Sequence, residues 1–144
     1  MTAPITVVAA VIEQSGHILI CQRRRDDRFG LKWEFPGGKV QPGETPQEAL
    51  LRELKEELSV SAKVGPELYR TRHRYAEMDS EIELLFFAVT LGPETLMNHA
   101  FEKIEWAERP RLVRYDFLPA DRELVERLAR AVPGRRPPQS PGRR

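Results

Sequence analysis

The chain has one cysteine among its 144 residues, Cys21. That rules out a disulfide framework or a zinc site of paired thiolates and fits a reducing compartment. No stretch approaches the ~20 apolar residues of a membrane span. The first residues, Met1-Thr2-Ala3-Pro4, show no basic segment leading into an apolar one, so no secretory signal is expected. The expectation is a cytoplasmic protein. Neither sign of charge is in excess: 23 Lys and Arg stand against 22 Asp and Glu, for a net charge of +1. This excludes a global pull toward nucleic acid or membrane and makes any charge logic local. No internal repeat is visible. What remains is a 40% hydrophobic, 31% charged chain, of a size and composition suited to one globular domain.

Residues 5–13 are rich in Val and Ile and predict a strand. Gln14-Ser15-Gly16 predicts a turn and residues 17–22 a second strand, so the two form a hairpin. Residues 23–32 are charged and predict a loop. Trp33-Glu34-Phe35 is a short extended piece running into Pro36-Gly37-Gly38. Residues 61–73 predict a strand broken at Gly65-Pro66. Residues 81–91 predict another, with Ile82, Leu84, Phe86 and Ala88 on one face, and residues 103–107 a short one. A last amphipathic helix is expected over 121–132, with Leu124, Val125, Leu128 and Ala129 inward. Residues 133–144 hold four prolines, two glycines and four arginines and read as a disordered basic tail. The division is therefore a domain over 1–132 and a tail over 133–144. The mixed order of strands and helices points to an α+β layered domain.

The strongest helix signal begins at Thr45-Pro46. Thr45 can cap it, Pro46 suits the first helical position, and Glu48 completes a capping box. At about 100° per residue, Leu50, Leu51, Leu54 and Leu58 gather on one face, and Glu53, Glu56 and Glu57 share another arc. Like charges at these spacings repel, and the helix dipole disfavours them in the last turns. A solvated glutamate face would carry lysines among the acids, yet Lys55 points elsewhere on the wheel. A bound cation offsets the repulsion, and clustered carboxylates suit a hard ion such as Mg²⁺, with Mn²⁺ as the alternative. Gly37-Gly38 lets backbone approach a ligand or metal. Arg52 can pair with Glu48 one turn earlier, or hold Glu44 beside the site.

These residues form a pattern. Gly38, five residues, Glu44, seven residues, then Arg52-Glu53-Leu54-Lys55-Glu56-Glu57-Leu58-Ser59-Val60 resembles the Nudix box at every constrained position but one. At that position, Ser59, the family usually has the glycine that ends the helix in a left-handed conformation. Trp33 to Val40 looks like the approach segment of the MutT-like branch. Phe117-Leu118-Pro119-Ala120-Asp121 looks like that branch's lead into its last helix. The resemblance covers most of residues 5–131 and implies a Nudix-type α/β/α sandwich with a mixed central sheet.

The resemblance also implies a chemistry, in which a (d)NTP is cleaved to NMP and pyrophosphate. Glu53, Glu56 and Glu57 would hold Mg²⁺ with the Gly38 carbonyl, Glu53 would take a proton from water, Glu44 would support the site, and Arg52 would orient its carboxylates. Arg23 and Lys39 would contact phosphates. The expected partner is the nucleotide alone, bound by a monomer or homodimer with no stable nucleic-acid partner and no membrane. Many relatives carry a further Glu six residues before the tryptophan matched to Trp106. Here that position is Ala100, with Glu102 shifted by two. Asp121 falls where the branch faces the base. A carboxylate there accepts from an exocyclic amine such as cytosine N4 or, protonated, donates to a purine oxygen. Its other reading is a helix cap. Trp33, Phe35 and Tyr75 are candidates to stack on the base or to pack in the core. These residues rank a (d)CTP-like or modified-pyrimidine substrate ahead of 8-oxo-dGTP. Residues 67–92 lack the proline usual in ADP-ribose members. Dinucleoside polyphosphate or nucleotide-sugar hydrolysis is the alternative chemistry. A non-catalytic binding module is the alternative class, and such modules typically lose box glutamates.

Overall fold

A computed structural model describes residues 4–74, 76 and 79–131. Tyr75 and the 133–144 tail lie outside the described residues. The chain runs β1 (Ile5–Gln14), β2 (His17–Gln22), β3 (Trp33–Glu34), β4 (Gly37–Lys39), α1 (Pro46–Leu58), β5 (Ala62–His73), β6 (Ile82–Leu91), β7 (Lys103–Glu108) and α2 (Arg122–Arg130), with short 3₁₀ turns at Arg109–Arg114 and Pro119–Asp121.

Strand β1 organises the sheet. One edge pairs in parallel with β6, from Ile5↔Ile82 to Ile12↔Val89. The other pairs antiparallel with β4 over Val7–Ala9 and then with β2 at Glu13 and Gln14. Beyond these, β5 flanks β6, while β3 and β7 both pair with β2. The expected hairpin forms, with Ser15 and Gly16 both at positive φ, the pattern of a tight two-residue turn. The expected break at Gly65-Pro66 is a register shift within a continuous β5 rather than a gap between strands.

Alternation along β1 and β6 sends side chains to two cores. Val8, Ala10, Ile12, Leu85, Phe87 and Val89 meet Ala49, Leu50, Leu54 and Leu58 of α1. Ala9, Val11, Ile82, Leu84 and Phe86 meet Leu124, Val125 and Leu128 of α2. The sheet therefore lies between two helices, as expected. The one-faced reading of residues 81–91 was incomplete, because β6 is central and its odd-numbered side chains are covered as fully as its even ones. Among the described residues no helix is long and apolar enough to cross a membrane.

Helix α1 has the expected start. The Thr45 hydroxyl accepts from the Glu48 N–H at 3.1 Å, and the Glu48 carboxylate accepts from the Thr45 N–H at 2.9 Å. Its end is also as expected, with Ser59 left-handed at φ 58°. The expected apolar face needs correction, because Leu51 is 40% exposed. With Leu50 as the origin, Leu54 and Leu58 lie at about 40° and 80°, Leu51 at about 100° and Glu57 at about −20°. The buried arc is centred nearer Leu50 than the leucines alone suggest, so it excludes Leu51 and takes in Glu57.

One buried charge escaped sequence reasoning. Arg109 is 2% exposed, donates to the Glu13 carboxylate at the end of β1 and, at 3.1 Å, to the Leu128 carbonyl near the end of α2. It ties the hairpin to the last helix.

Leu54 is fully buried and Leu51 is not. Leu54→Ala should cost about 2–5 kcal/mol of unfolding free energy and Leu51→Ala less than about 1 kcal/mol. Urea unfolding of the two variants checks this, and equal losses would contradict the placement of the helix.

Candidate active site

A cleft of about 360 Å³ opens between β4, the end of α1, the 23–32 loop and the start of α2. It brings together Arg23, Phe35, Gly38, Lys39, Glu57 and Asp121. Four further residues singled out from the sequence, Glu44, Arg52, Glu53 and Glu56, form an adjoining cluster that is not part of the cleft wall.

Arg52 holds that cluster together. Its guanidinium donates to Glu44 at 2.6 and 3.0 Å, to Glu53 at 3.2 Å, to Glu56 at 3.3 Å and to the Lys39 carbonyl at 3.1 Å. Of the two partners considered for Arg52, the structure selects Glu44, since Glu48 is engaged in the capping box. Glu44 also accepts from the Gln41 N–H, and these bonds, Arg52's first, hold its carboxyl below the ordinary range. Glu56 is largely exposed and has Arg52 as its ion-pair partner.

Glu53 and Glu57 reach back onto β4 from the helix. A Cβ on Gly38 would lie 2.3 Å from a Glu53 carboxylate oxygen, so glycine is required for that carboxylate to rest on the backbone. Glu57 accepts from the Gly37 N–H at 3.2 Å. Gly37 has a further reason to be glycine: a Cβ there would lie 1.9 Å from the Val8 carbonyl oxygen. The sequence reading gave both glycines to ligand approach, whereas the first is required by strand pairing with β1. Burial, then the charges of Glu53 and Glu34, raise the Glu57 carboxyl from 4.5 to about 9. Burial also raises Glu53, against the pull of Arg52. Among the described residues no three acidic, thiol or imidazole groups converge on one point as they stand, and Glu53 and Glu56 are both bonded to the Arg52 guanidinium.

The far wall carries two more carboxyls. Asp121 is 3% exposed and makes no side-chain cap on α2, which removes the capping reading. Burial, then the charge of Glu34, pushes its carboxyl well above the usual range. Glu34 was not singled out from the sequence. It pairs with Arg23 at 3.1 Å, yet burial leaves its carboxyl raised. A carboxylate between Trp33 and Phe35 in a two-residue strand was the available signal, since alternation turns it away from the face its aromatic neighbours bury. Arg23 is thus already engaged, donating also to the Arg28 carbonyl at 2.8 Å, while Lys39 is exposed at the rim. Phe35 forms part of the wall, but its ring packs on Phe86 and Phe117, and Trp33 packs edge-on to Tyr115. Cys21 is fully buried beneath the site, and burial, then Glu34 and Glu57, raises its thiol. Glu102 does not line the cleft; its carboxylate accepts from the Arg25 N–H at 3.3 Å.

The NUDIX domain family profile matches residues 2–128. The chain is 41% identical over 123 residues to the CTP pyrophosphohydrolase of Escherichia coli K12, a match spanning 85% of this chain and 89% of that one. It is 35% identical over 125 residues to the 8-oxo-dGTP diphosphatase of Haemophilus influenzae, spanning 86% and 90%. Among solved structures, the E. coli ORF135 protein matches with a TM-score of 0.73 at 35% identity, over 85% of this chain and 86% of that one.

The raised carboxyl of Glu57 sets a pH dependence. Its folded value of about 9 lies above its unfolded value near 4.5, so its contribution to stability is intact below about pH 4.5 and is lost as pH rises toward 9. With a chelator present, the urea midpoint of the wild type should fall between pH 5 and pH 9. Glu57→Gln should flatten that fall. A variant as pH-sensitive as the wild type would contradict the partly buried placement of this carboxylate.

Proposed function

The chain belongs to the Nudix family, and on that premise we propose that it is a cation-dependent pyrophosphohydrolase. It cleaves a nucleoside triphosphate to the monophosphate and pyrophosphate, with a cytosine or modified-pyrimidine base preferred and 8-oxo-dGTP next. The observation that carries this reading is that one cleft joins the Glu57 end of α1, a place for phosphates, to the buried carboxyl of Asp121, a place for a base. The first two relatives above, which act on CTP and 8-oxo-dGTP by name, support it. The reading includes a cytoplasmic setting and a monomer or homodimer acting without a nucleic-acid partner.

Family members generally need a divalent metal ion, and the donors here suit one. They are all oxygen, and the charge of Glu53 raises the affinity of Glu57 for protons while the two side chains rest on Gly38 and Gly37. Like charges held this close are relieved by a hard cation. Glu53, Glu56, Glu57 and the Gly38 carbonyl would hold it, Mg²⁺ in the first place and Mn²⁺ as the alternative. When bound, the ion supplies neutralisation of phosphate charge and a more acidic water.

The chain's own residues supply the rest. Arg52, anchored on Glu44 and the Lys39 carbonyl, orients Glu53 and Glu56 so that they do not recoil from one another. Glu53, raised by burial, is the group that accepts the proton from the attacking water, because a base with a raised pKa holds that proton better at neutral pH. Lys39 at the rim and Arg23 contact phosphate oxygens, Arg23 by exchanging its bond to Glu34. Asp121, favouring its protonated form, offers both a donor and an acceptor to a base edge.

A panel of (d)NTPs with Mg²⁺, including 5-methyl-dCTP and 8-oxo-dGTP, tests the reading by pyrophosphate release. A cytidine nucleotide should lead. Activity confined to dinucleoside polyphosphates or nucleotide sugars, or nucleotide binding without turnover, would replace the reading. Glu57→Gln should lower kcat by about 10²–10⁴-fold, and normal turnover in that variant would end the assignment. Asp121→Asn should shift the kcat/KM ratio between dCTP and 8-oxo-dGTP by about 10-fold or more, the size expected of one base-edge contact. An unchanged ratio would remove Asp121 from base selection.

A further inference from the structure

The segment between β6 and β7 makes contacts that the proposed chemistry does not use. The N–H groups of Met97 and His99 donate to the carbonyls of Leu58 and Glu57, each at 3.0 Å. These are last-turn carbonyls of α1, the class of group that a helix leaves without internal partners. The ring Nε2 of His99 shares a hydrogen bond of 2.6 Å with the hydroxyl of Ser59, the residue standing where the box usually has glycine. On its other side the segment faces the arginine loop. The carbonyls of Ala100 and His99 accept from Arg24 at 3.0 and 3.2 Å, and the Glu102 carboxylate accepts from the Arg25 N–H. Arg24 is the neighbour of Arg23 in the cleft wall.

The segment also carries hydrogen bonds of its own. Asn98 closes its turn, accepting from the Phe101 N–H and donating to the Phe101 carbonyl, both at 2.9 Å. The Phe101 ring is buried in the core beneath α1.

We propose that His99 is a positioning residue. Through its N–H, ring and carbonyl it fixes the end of the carboxylate helix against the 23–28 loop, and so sets the separation between the metal-holding and phosphate-contacting sides of the cleft. Glu57 is then pinned twice, by its carbonyl on His99 and by its carboxylate on Gly37. In this chain Ser59 is more than a tolerated departure from glycine, because its hydroxyl completes the brace. The Ala100 position contributes through its main-chain carbonyl, which accepts from Arg24.

This inference rests on the reading of the cleft as a metal-dependent nucleotide site, and the test separates the two. His99→Ala removes the ring. Ser59→Gly removes the hydroxyl at a backbone position that glycine adopts freely, so that variant stays folded. Three measurements follow on each single variant and on the pair: Mn²⁺ binding without nucleotide, amide exchange at Met97 and His99, and kcat and KM with the leading nucleotide. Each single variant should weaken Mn²⁺ binding and lower kcat roughly 10-fold, the usual cost of losing a group that orients a ligand, with KM nearly unchanged and the two amides exchanging faster. The double variant should be no worse than either single one, and His99→Gln should recover part of the loss. The proposal is overturned by Mn²⁺ affinity and amide protection like those of the wild type, or by losses that multiply in the double variant. If the wild-type protein binds Mn²⁺ but turns over no nucleotide, the functional reading fails, and exchange and Mn²⁺ titration still decide the brace.

Discussion

A carboxylate that leaves the buried arc of a helix must be protonated, hydrogen-bonded or neutralised by a cation, because its desolvation is otherwise uncompensated. Glu57 is in that position. It emerges beside Leu50 on the face of α1 that packs on β1, and what it meets is the Gly37 N–H at the start of β4. That encounter requires β4 to lie against β1, which in turn requires residue 37 to have no side chain, with the Val8 carbonyl occupying the space a Cβ would need. The site is thus built on the contact of three backbone segments and one helix face. The position of Glu53 over Gly38 is a second consequence of the same seating.

The electrostatics divide around Arg52. On its side of β4, Glu44, Glu53 and Glu56 share one guanidinium, an arrangement that keeps several acids close without full mutual repulsion. On the cleft side stand Glu34, Glu57 and Asp121, of which Glu34 pairs with Arg23 and Glu57 accepts from the Gly37 N–H. Burial is the first cause of all three raised affinities for protons, and the charge of Glu34 adds to those of Glu57 and Asp121. A cleft that is acidic within and has Lys39 and Arg28 at its border favours a ligand that brings cations with it, which is how a nucleoside triphosphate enters solution chemistry.

Much of this was legible in the residues themselves. The capping box at Thr45 and Glu48 and the hairpin at Ser15-Gly16 depend on spacings of a few residues, and local geometry fixes such features whatever the helix or strand later packs against. The left-handed end at Ser59 came from the resemblance to the Nudix box, and the shared arc of glutamates did not by itself bring three such groups to one point among the described residues. The grouping of Arg52 with Glu44 was visible as an option, though choosing it over Glu48 needed the cap to be seen engaged.

What the tertiary structure alone decided was which polar groups are buried and which apolar ones are not. Leu51 faces outward, Glu57 inward, Arg109 is enclosed between Glu13 and Leu128, Glu34 turns into the cleft, and Asp121 is buried without capping its helix. Each of these outcomes depends on a neighbour distant in the chain, as with Arg109 and Glu13, 96 residues apart. Periodicity reports the angles of one element about its own axis. It carries no record of the direction from which the next element arrives, and that direction decides where water is excluded.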